Sequence, residues 1–123
     1  MPWHLRAIEE DPRQLLWRIR FVIEQDSNAL IGAINLKGLP TGNGEVEIGW
    51  GIVPDARRRG FATEASRAVI EWAFATGRVN RVSATIPEEN ITSQRVAQRL
   101  GMAKSADKRR GLPLWVVEKQ PSH

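Results

Sequence analysis

The stretch "EVEIGWGIVPDARRRGFATEASRAVIEWAF" (residues 45–74) changes its hydrophobic period halfway along, and that change decides the fold. Up to Pro54, polar and apolar residues alternate, which is typical of a half-buried β-strand. From Phe61 onward, apolar residues recur every three or four positions, which predicts an amphipathic helix of about four turns that ends at Gly77. A strand, a short arginine-rich loop and a long helix therefore follow one another directly.

The flanking sequence predicts one mixed α/β domain over residues 1–123. Runs of alternating residues bounded by turn residues predict strands, and a second helix is predicted with Thr92 or Ser93 as its N-cap and Gly101 just past its end. Strands are predicted at 16–24, 29–38, 45–53, 81–86 and 113–119. A short helix is predicted at 5–16, the long helix starts at 61, and the second helix covers 90–102. Their order predicts an antiparallel front half of the sheet.

The composition is that of an ordinary soluble domain, with 41% apolar and 26% charged residues among 123. The lack of cysteine excludes disulfides, thiol catalysis and cysteine zinc sites. The two histidines, His4 and His123, lie near opposite ends of the chain, so no metal site is predicted. No apolar run approaches the roughly 20 residues that span a bilayer, and the first residues lack the apolar core of a signal peptide. We therefore expect a cytoplasmic protein without a membrane partner.

Positive charge is concentrated where the long helix begins. The chain has 14 arginines, four lysines and a net charge of +4, which favours an acidic partner, although a preference for arginine codons explains the overall excess equally well. Arg57, Arg58 and Arg59 repel one another and the helix dipole unless an anion binds there. Gly60 would let backbone N–H groups approach that anion, as in a pyrophosphate cradle. A tight turn beside a solvated arginine face is the alternative interpretation.

The run from Arg57 to Ala62 resembles the acyl-CoA pyrophosphate motif, (Gln or Arg)-x-x-Gly-x-(Gly or Ala), of the GNAT superfamily of N-acetyltransferases. With "EIGWGIVP" before it and "NITSQRVAQRLGM" (90–102) after it, the chain resembles the branch that includes ribosomal-protein alanine N-acetyltransferases, over roughly residues 17 to 118. The resemblance implies a GNAT-like α/β fold. Its central sheet would be mixed and mostly antiparallel, with a splayed strand pair and flanking helices, and acetyl-CoA would be the co-substrate.

The resemblance also implies a cofactor site. The backbone of residues 58–62 would hold the pyrophosphate, and the strand at 45–53 would splay from the strand at 81–86 so that backbone groups near Ile52 bind the pantetheine arm. Gly49 and Gly51 fit a strand with a ligand against its backbone, or a strand bulge. Asn90 would hydrogen-bond the pantetheine, or serve only as a turn residue. The implied cofactor-binding residues are Ile52, Val53, Arg57, Arg58, Arg59, Gly60, Phe61, Ala62, Thr63, Asn90 and Ser93.

Acetyl transfer to an amine requires a proton acceptor for the amine, donors for the developing oxyanion and a proton donor for the thiolate. Glu45 and Glu47 share one face of the strand at 45–53. Glu47 resembles a family carboxylate and is the first choice for the general base, acting through a water, while Glu45 stays open as the other candidate base. An exposed polar face is the alternative interpretation for both. The chain has no tyrosine, the acid of many family members. Ser93 matches a serine of the resembling branch and is predicted to donate a hydrogen bond to the thiolate, to cap the second helix, or both.

The chain departs from the family at its N-terminus. About 16 residues precede the stretch "WRIRFVIE" (17–24), where the family has a strand and one or two helices, so the first strand and a helix are predicted to be missing. A second subunit could then complete the sheet as a homodimer, the acceptor site could be unusually open, or the chain begins late relative to its relatives. The segment "KSADKRRGLPLW" (104–115) is also short.

Three function classes follow. The first is an N-acetyltransferase that uses acetyl-CoA and acts on a primary amine, either a protein N-terminus or a small amine. The alternative is a non-catalytic acyl-CoA-binding module. Nucleic-acid binding is suggested by Arg95, Arg99 and residues 107–111 beside the triple arginine, but it is disfavoured because the chain has neither a recognised motif nor a surface row of aromatic residues.

Overall fold

The computed structural model describes residues 3–7, 19–24, 30–37, 40–52 and 61–120. These residues form two helices and one seven-stranded sheet in the order β1-β2-β3-β4-β5-β7-β6. The elements are β1 (Trp3–Ala7), β2 (Ile19–Glu24), β3 (Leu30–Leu36), β4 (Glu45–Ile52), α1 (Phe61–Ala75), β5 (Arg81–Thr85), α2 (Ile91–Arg99), β6 (Ala103–Arg109) and β7 (Leu112–Glu118). Neither helix within these ranges is long and apolar enough to cross a membrane.

Among the described strands, one pair of neighbours runs parallel, and it lies in the middle of the sheet. Strands β1 to β4 are joined antiparallel, and so are β5, β7 and β6, whereas β4 and β5 run parallel. The parallel ladder begins at Glu45–Arg81 and ends at Glu47–Ser83, although β4 continues to Ile52 along β3. The two strands therefore splay beyond Glu47. The predicted mixed, mostly antiparallel sheet with a splayed pair is confirmed.

The core lies between the sheet and the two helices. Val46 and Ile48 on β4 are almost fully buried, as the alternation of that strand predicts. On α1, Ala65, Val69 and Ala73 are buried at helical spacing, and Ala68 and Trp72 pack against the same cluster, which confirms the predicted apolar face. Burying a valine or isoleucine stabilises the fold by about 1.5–3 kcal/mol each.

The ends of the helices follow their capping residues. Gly77, with φ of 77°, ends α1, and Gly101, with φ of 83°, ends α2, both as predicted. The predicted N-cap of α2 was wrong. Asn90 is the N-cap, because its side-chain oxygen accepts a hydrogen bond from the backbone N–H of Ser93 at 3.1 Å. Asparagine is among the best N-cap residues, and it stands one turn before the serine.

The N-terminal prediction was also wrong in part. Residues Trp3–Ala7 form β1, paired antiparallel with β2 from Trp3–Glu24 to Ala7–Arg20, so a first strand is present. The predicted helix at 5–16 is contradicted at residues 5–7, and the remainder, together with the expected missing helix, lies outside the described residues. Trp3, Leu5 and Ala7 alternate with polar residues, a signal of period two that was too short to outweigh the helical spacing of Leu5 and Ile8.

Strand β6 was not predicted at all. Its sequence, AKSADKR, carries little apolar character, and most of its residues are exposed at the edge of the sheet. It joins β7 through a two-residue turn, Arg110–Gly111, in which both residues have positive φ, as primed hairpin turns require. The short segment between α2 and the last strand is therefore a hairpin.

Candidate active site

The splay between β4 and β5 opens a notch lined by backbone. The N–H of Lys37 donates to the carbonyl of Glu47 at 2.8 Å, so the backbone groups of Glu47 face β3. Because backbone direction alternates along a strand, those of Trp50 and Ile52 face away from β3, beyond the last β4–β5 pair. The backbone of β4 thus points polar groups into the notch, at the position where the pantetheine arm was predicted.

The two glycines of β4 lie in a regular ladder. Gly49 pairs with Asn35 and Gly51 with Ala33, without a register shift. The strand-bulge interpretation of these glycines was therefore wrong. A side chain at Gly49 would meet the stem of Lys37 at 3.3 Å, so this glycine leaves space for a lysine to lie across β4.

Two cavities adjoin in the notch. The first, of about 190 Å³, lies between the splayed strands, and the second, of about 210 Å³, lies beside the first turn of α1. Trp50, Asn90 and Ser93 line both cavities. The first is lined in addition by Lys37, Ile48, Gly49, Ala84, Thr85, Ile86 and Pro87, and the second by Gly51, Ala62, Thr92 and Val96. An elongated ligand could therefore pass from the start of α1 to the outer face of β4.

Asn90 and Ser93 stand where the two cavities meet. The cap uses the side-chain oxygen of Asn90 but not its amide N–H groups, which are donors. The cap also fixes the first turn of α2 and with it Ser93. The interpretation of Ser93 as N-cap was wrong, so its hydroxyl is not engaged in capping.

Glu47 carries the most heavily bonded side chain of the site. Its carboxylate is only 7% exposed, which excludes the exposed polar face proposed for it, although it shares the outer face of β4 with Glu45 as predicted. Arg109 donates to Oε1 at 2.9 Å, and Arg110 and Lys37 donate to Oε2 at 2.8 and 3.0 Å. The Thr85 hydroxyl lies 3.3 Å from Oε2.

These contacts set the charge of Glu47. Burial alone raises its pKa, but the hydrogen bonds from Arg109, Lys37 and Arg110 together outweigh burial and lower the pKa from 4.5 to about 2. Glu47 is therefore ionised throughout the neutral range. With these three partners in place it is a weak proton acceptor, because a base works best with a pKa near the operating pH.

The partners of Glu47 were not predicted from the sequence. Arg109 also donates to Glu45 at 2.6 Å and to Ser83 at 3.2 Å, and its bonds to Glu45 and Glu47 raise the pKa of Arg109. Arg109 and Arg110 belonged to the basic segment considered for nucleic acid, but both are paired with carboxylates of the sheet. The hairpin that carries them has no sequence signal strong enough to predict the contact.

The cofactor-binding residues predicted from the resemblance divide into two groups. Ala62 lines the second cavity, together with Asn90 and Ser93, and Thr63 is half-buried in the first turn of α1. The backbone of Ile52 ends β4, and Phe61 begins α1. Val53, Arg57, Arg58, Arg59 and Gly60 lie outside the described residues. Within the described ranges, no three histidine, aspartate or glutamate side chains are grouped to hold a metal ion.

Comparisons with known proteins show which family this chain resembles in sequence and in fold. The family described as "Acetyltransferase (GNAT) domain" matches residues 3–103. The uncharacterized N-acetyltransferase YnaD of Bacillus subtilis (strain 168) is 35% identical over 92 residues, which make up 75% of this chain and 54% of that protein. The chain spans about half the length of the curated relatives it matches.

Solved structures share the fold. An acetyltransferase of the GNAT family from Bacillus anthracis superposes with a TM-score of 0.71 at 25% identity, covering 82% of this chain and 66% of that one. The ribosomal-protein-S5-alanine acetyltransferase of Vibrio fischeri superposes with a TM-score of 0.74 at 16% identity, covering 81% of this chain and 60% of the other, a likeness of fold alone. The splayed strands and the match over most of the chain lead to one conclusion: this chain belongs to the GNAT acetyltransferase family.

Proposed function

We propose that this protein is an N-acetyltransferase that uses acetyl-CoA as co-substrate and acetylates a primary amine, either a protein N-terminus or a small amine, by direct attack. The observation that carries the proposal is the pair of adjoining cavities at the β4–β5 notch. One opens at the start of a long helix and the other at the outer face of β4. Such a site can hold an acyl donor and an acceptor end to end.

The donor half would be built around the start of α1. Backbone N–H groups in the first turn of a helix have no partner within the helix and attract anions, and Ala62 in that turn lines the second cavity. Arg57, Arg58, Arg59 and Gly60 precede this turn in the chain and would bind the phosphates of acetyl-CoA. Acetyl-CoA supplies the activated acyl group as a thioester. The backbone of Ile52 and the amide group of Asn90 would hold the pantetheine arm in the notch.

The acceptor half would lie in the first cavity. There the backbone N–H of Trp50 is suited to bind a developing oxyanion, because it faces the notch, and the Ser93 hydroxyl would donate a hydrogen bond to the departing thiolate. We assign Glu47 as the base, acting through a water. This role requires that Lys37 or Arg110 leave Oε2 when the acceptor binds and that the relaying water take its place, because the pKa of Glu47 is about 2 while all three cations are in place.

A non-catalytic acyl-CoA-binding module is the second candidate, and one observation favours it. Both oxygens of Glu47 already accept hydrogen bonds from cations, so the carboxylate is engaged before any acceptor arrives. In a binding module that engagement would be permanent, and acetyl-CoA would bind without turnover.

Isothermal titration with acetyl-CoA and with CoA tests the donor site. We expect the wild type to bind both, and Arg57→Ala to bind at least about tenfold more weakly, since a lost hydrogen bond to a charged group costs about 1.5–3 kcal/mol. Gly60→Val should also bind more weakly, because its side chain would hold the backbone away from the pyrophosphate. Arg95→Ala is the matched control, because Arg95 is exposed on α2 and lines neither cavity. Absence of binding by the folded wild type would overturn the proposal.

Glu47→Gln separates the enzyme from the binding module. If Glu47 is the base, this variant loses turnover of amine acceptors and keeps its affinity for acetyl-CoA in the same titration. Turnover that is indifferent to the substitution would remove the base assignment and leave the enzyme. A wild type that binds acetyl-CoA and acetylates no amine in a broad screen would favour the binding module.

A further inference from the structure

Lys37 is the lysine that lines the first cavity, and none of the other three lysines of the chain lines either cavity. We propose that the Nζ of Lys37 is itself an acetyl acceptor, modified in cis by acetyl-CoA bound to the same molecule. The proposal rests on the proposed function, because it needs the donor in the notch. It adds a modification site and a means by which the protein changes its own acceptor cavity.

The position of Lys37 is fixed by three contacts. Its backbone N–H bonds to the carbonyl of Glu47 at 2.8 Å, immediately after β3 ends. Its stem lies over Gly49, where a Cβ would come within 3.3 Å of Cε, and its Nζ lies 3.0 Å from Oε2 of Glu47. Lys37 is therefore held in one place on the wall of the first cavity, with its amine on Glu47, and Asn90 and Ser93 line the same cavity.

Confinement in one small space favours the reaction. Lys37 and Ser93 line one cavity of about 190 Å³, so a thioester bound beside Ser93 would lie close to Lys37. Such proximity would replace a bimolecular encounter by an intramolecular one. The side chain is 43% exposed, so solvent can take up the proton that the ammonium must lose before it attacks. Lys37 thus combines a fixed position with access to water.

The step is an ordinary aminolysis of a thioester. After the ammonium releases one proton to water, the lone pair of Nζ forms a bond to the acetyl carbonyl carbon and the carbon–sulfur bond breaks. The sulfur leaves with the bonding electrons and takes the second proton from nitrogen. The products are N-acetyl-Lys37, CoA thiol and one proton in solution, and no oxidant or further reactant is needed.

Acetylation would change the site in two ways. The neutral amide no longer forms an ion pair with Glu47, which keeps Arg109 and Arg110 as its charged partners. The acetyl group also occupies part of the first cavity, where the acceptor would bind. Self-acetylation would therefore limit the space for further acceptors.

Peptide mass spectrometry of the purified full chain tests the proposal. The protein is incubated with deuterium-labelled acetyl-CoA, and initial rates of acetylation are compared at Lys37 and at Lys104. Lys104 is the matched control, since it is similarly exposed, at 51%, and also ion-paired, with its Nζ 3.7 Å from Glu88. Acetyl phosphate, a donor without the CoA portion, measures the intrinsic reactivity of both lysines.

We expect Lys37 to be acetylated at least about tenfold faster than Lys104 by acetyl-CoA. As the acetyl-CoA concentration rises, the rate constant at Lys37 should level off, with its half-maximal value at the dissociation constant measured by titration. It should also be independent of protein concentration. Acetyl phosphate should give similar rates at the two sites. Lys37→Arg should lose the adduct at position 37 and leave the rate at Lys104 unchanged.

Each contrary result has a distinct meaning. Equal rates at Lys37 and Lys104 in a protein that binds acetyl-CoA would overturn this proposal and leave the proposed function standing. Equal rates without binding would overturn both. Selectivity for Lys37 that persists with acetyl phosphate, or that never saturates with acetyl-CoA, would assign the modification to intrinsic reactivity and overturn acetylation in cis.

Discussion

Arg110 has a φ of 54°, in the left-handed region that residues with a Cβ rarely adopt. Its turn would suit glycine or asparagine better. The arginine contributes a guanidinium, which lies 2.8 Å from the buried carboxylate of Glu47. A strained backbone is thus combined with a strong side-chain contact at the β6–β7 hairpin, and this combination is typical of functional positions.

We expect Arg110→Ala to be less stable than Arg110→Gly by about 1 kcal/mol, because both variants lose the ion pair and only alanine keeps a Cβ at positive φ. Urea denaturation of the two variants measures the difference. The same pair of substitutions at Lys104 is the control, because within a strand glycine is the less stable residue and the order should reverse. Equal stability of the two Arg110 variants would show that the backbone at this position is not strained by a Cβ.

At the same scale, the sequence allowed the outer-face carboxylates to be predicted but not their partners. Alternation along residues 45–53 was sufficient to put Glu45 and Glu47 on one face. Arg109 lies 62 residues beyond Glu47 in the chain and reaches it only through the β6–β7 hairpin. Contacts between residues so far apart depend on tertiary packing, which leaves no local pattern, so the lowered pKa of Glu47 could not be predicted.

Helix α2 allows the two interpretations of Asn90 to be separated. Asn90→Ala should destabilise the protein by about 1 kcal/mol, because it removes the N-cap. Asn90→Asp keeps the capping oxygen and should preserve stability, but it loses the amide donors, so acetyl-CoA should bind more weakly. Denaturation and titration calorimetry on both variants measure these effects.

The charge introduced by Asn90→Asp needs its own control. Thr92→Asp adds a carboxylate to the same first turn and the same cavity while leaving Asn90 in place. If it weakens acetyl-CoA binding as much as Asn90→Asp does, repulsion explains the loss and the pantetheine role of Asn90 is wrong. If Asn90→Asp binds acetyl-CoA as tightly as the wild type, Asn90 caps α2 and does not bind the pantetheine arm.

The elements that could be predicted were those with a clear period or a clear stop. Five of the strands (β2 to β5 and β7) and both helices were predicted, because their apolar residues repeat with a clear period. Pro87, Gly77 and Gly101 mark where three of these elements end. Strands β1 and β6 form the two ends of the described sheet. An edge strand buries less and carries more charge, so its residues show weaker patterning, and both strands were missed.

Across the whole molecule, the ion pairs of Glu47 join separate parts of the sheet. Lys37 follows β3, Thr85 ends β5, and Arg109 and Arg110 belong to the β6–β7 hairpin, yet all four contact one carboxylate on β4. The parallel ladder between β4 and β5 ends at the same residue. Side-chain contacts therefore hold the two halves of the sheet together at the point where backbone pairing stops.

This arrangement makes global stability sensitive to acid. The folded pKa of Glu47, about 2, is below its ordinary value of 4.5, so the ionised carboxylate stabilises the fold above pH 4.5 and this stabilisation is lost as the pH falls toward 2. The depression corresponds to on the order of 3 kcal/mol. Glu47→Gln cannot titrate, so we expect the difference in unfolding free energy between wild type and variant to shrink by up to about that amount between pH 5 and pH 2. Denaturant titrations at intervals across this range measure the difference. The other carboxylates are common to both proteins, so their contributions to the pH dependence cancel in the difference. A difference that stays constant down to pH 2 would mean that the four contacts do not hold Glu47 ionised, and the coupling between the halves of the sheet would have to lie elsewhere.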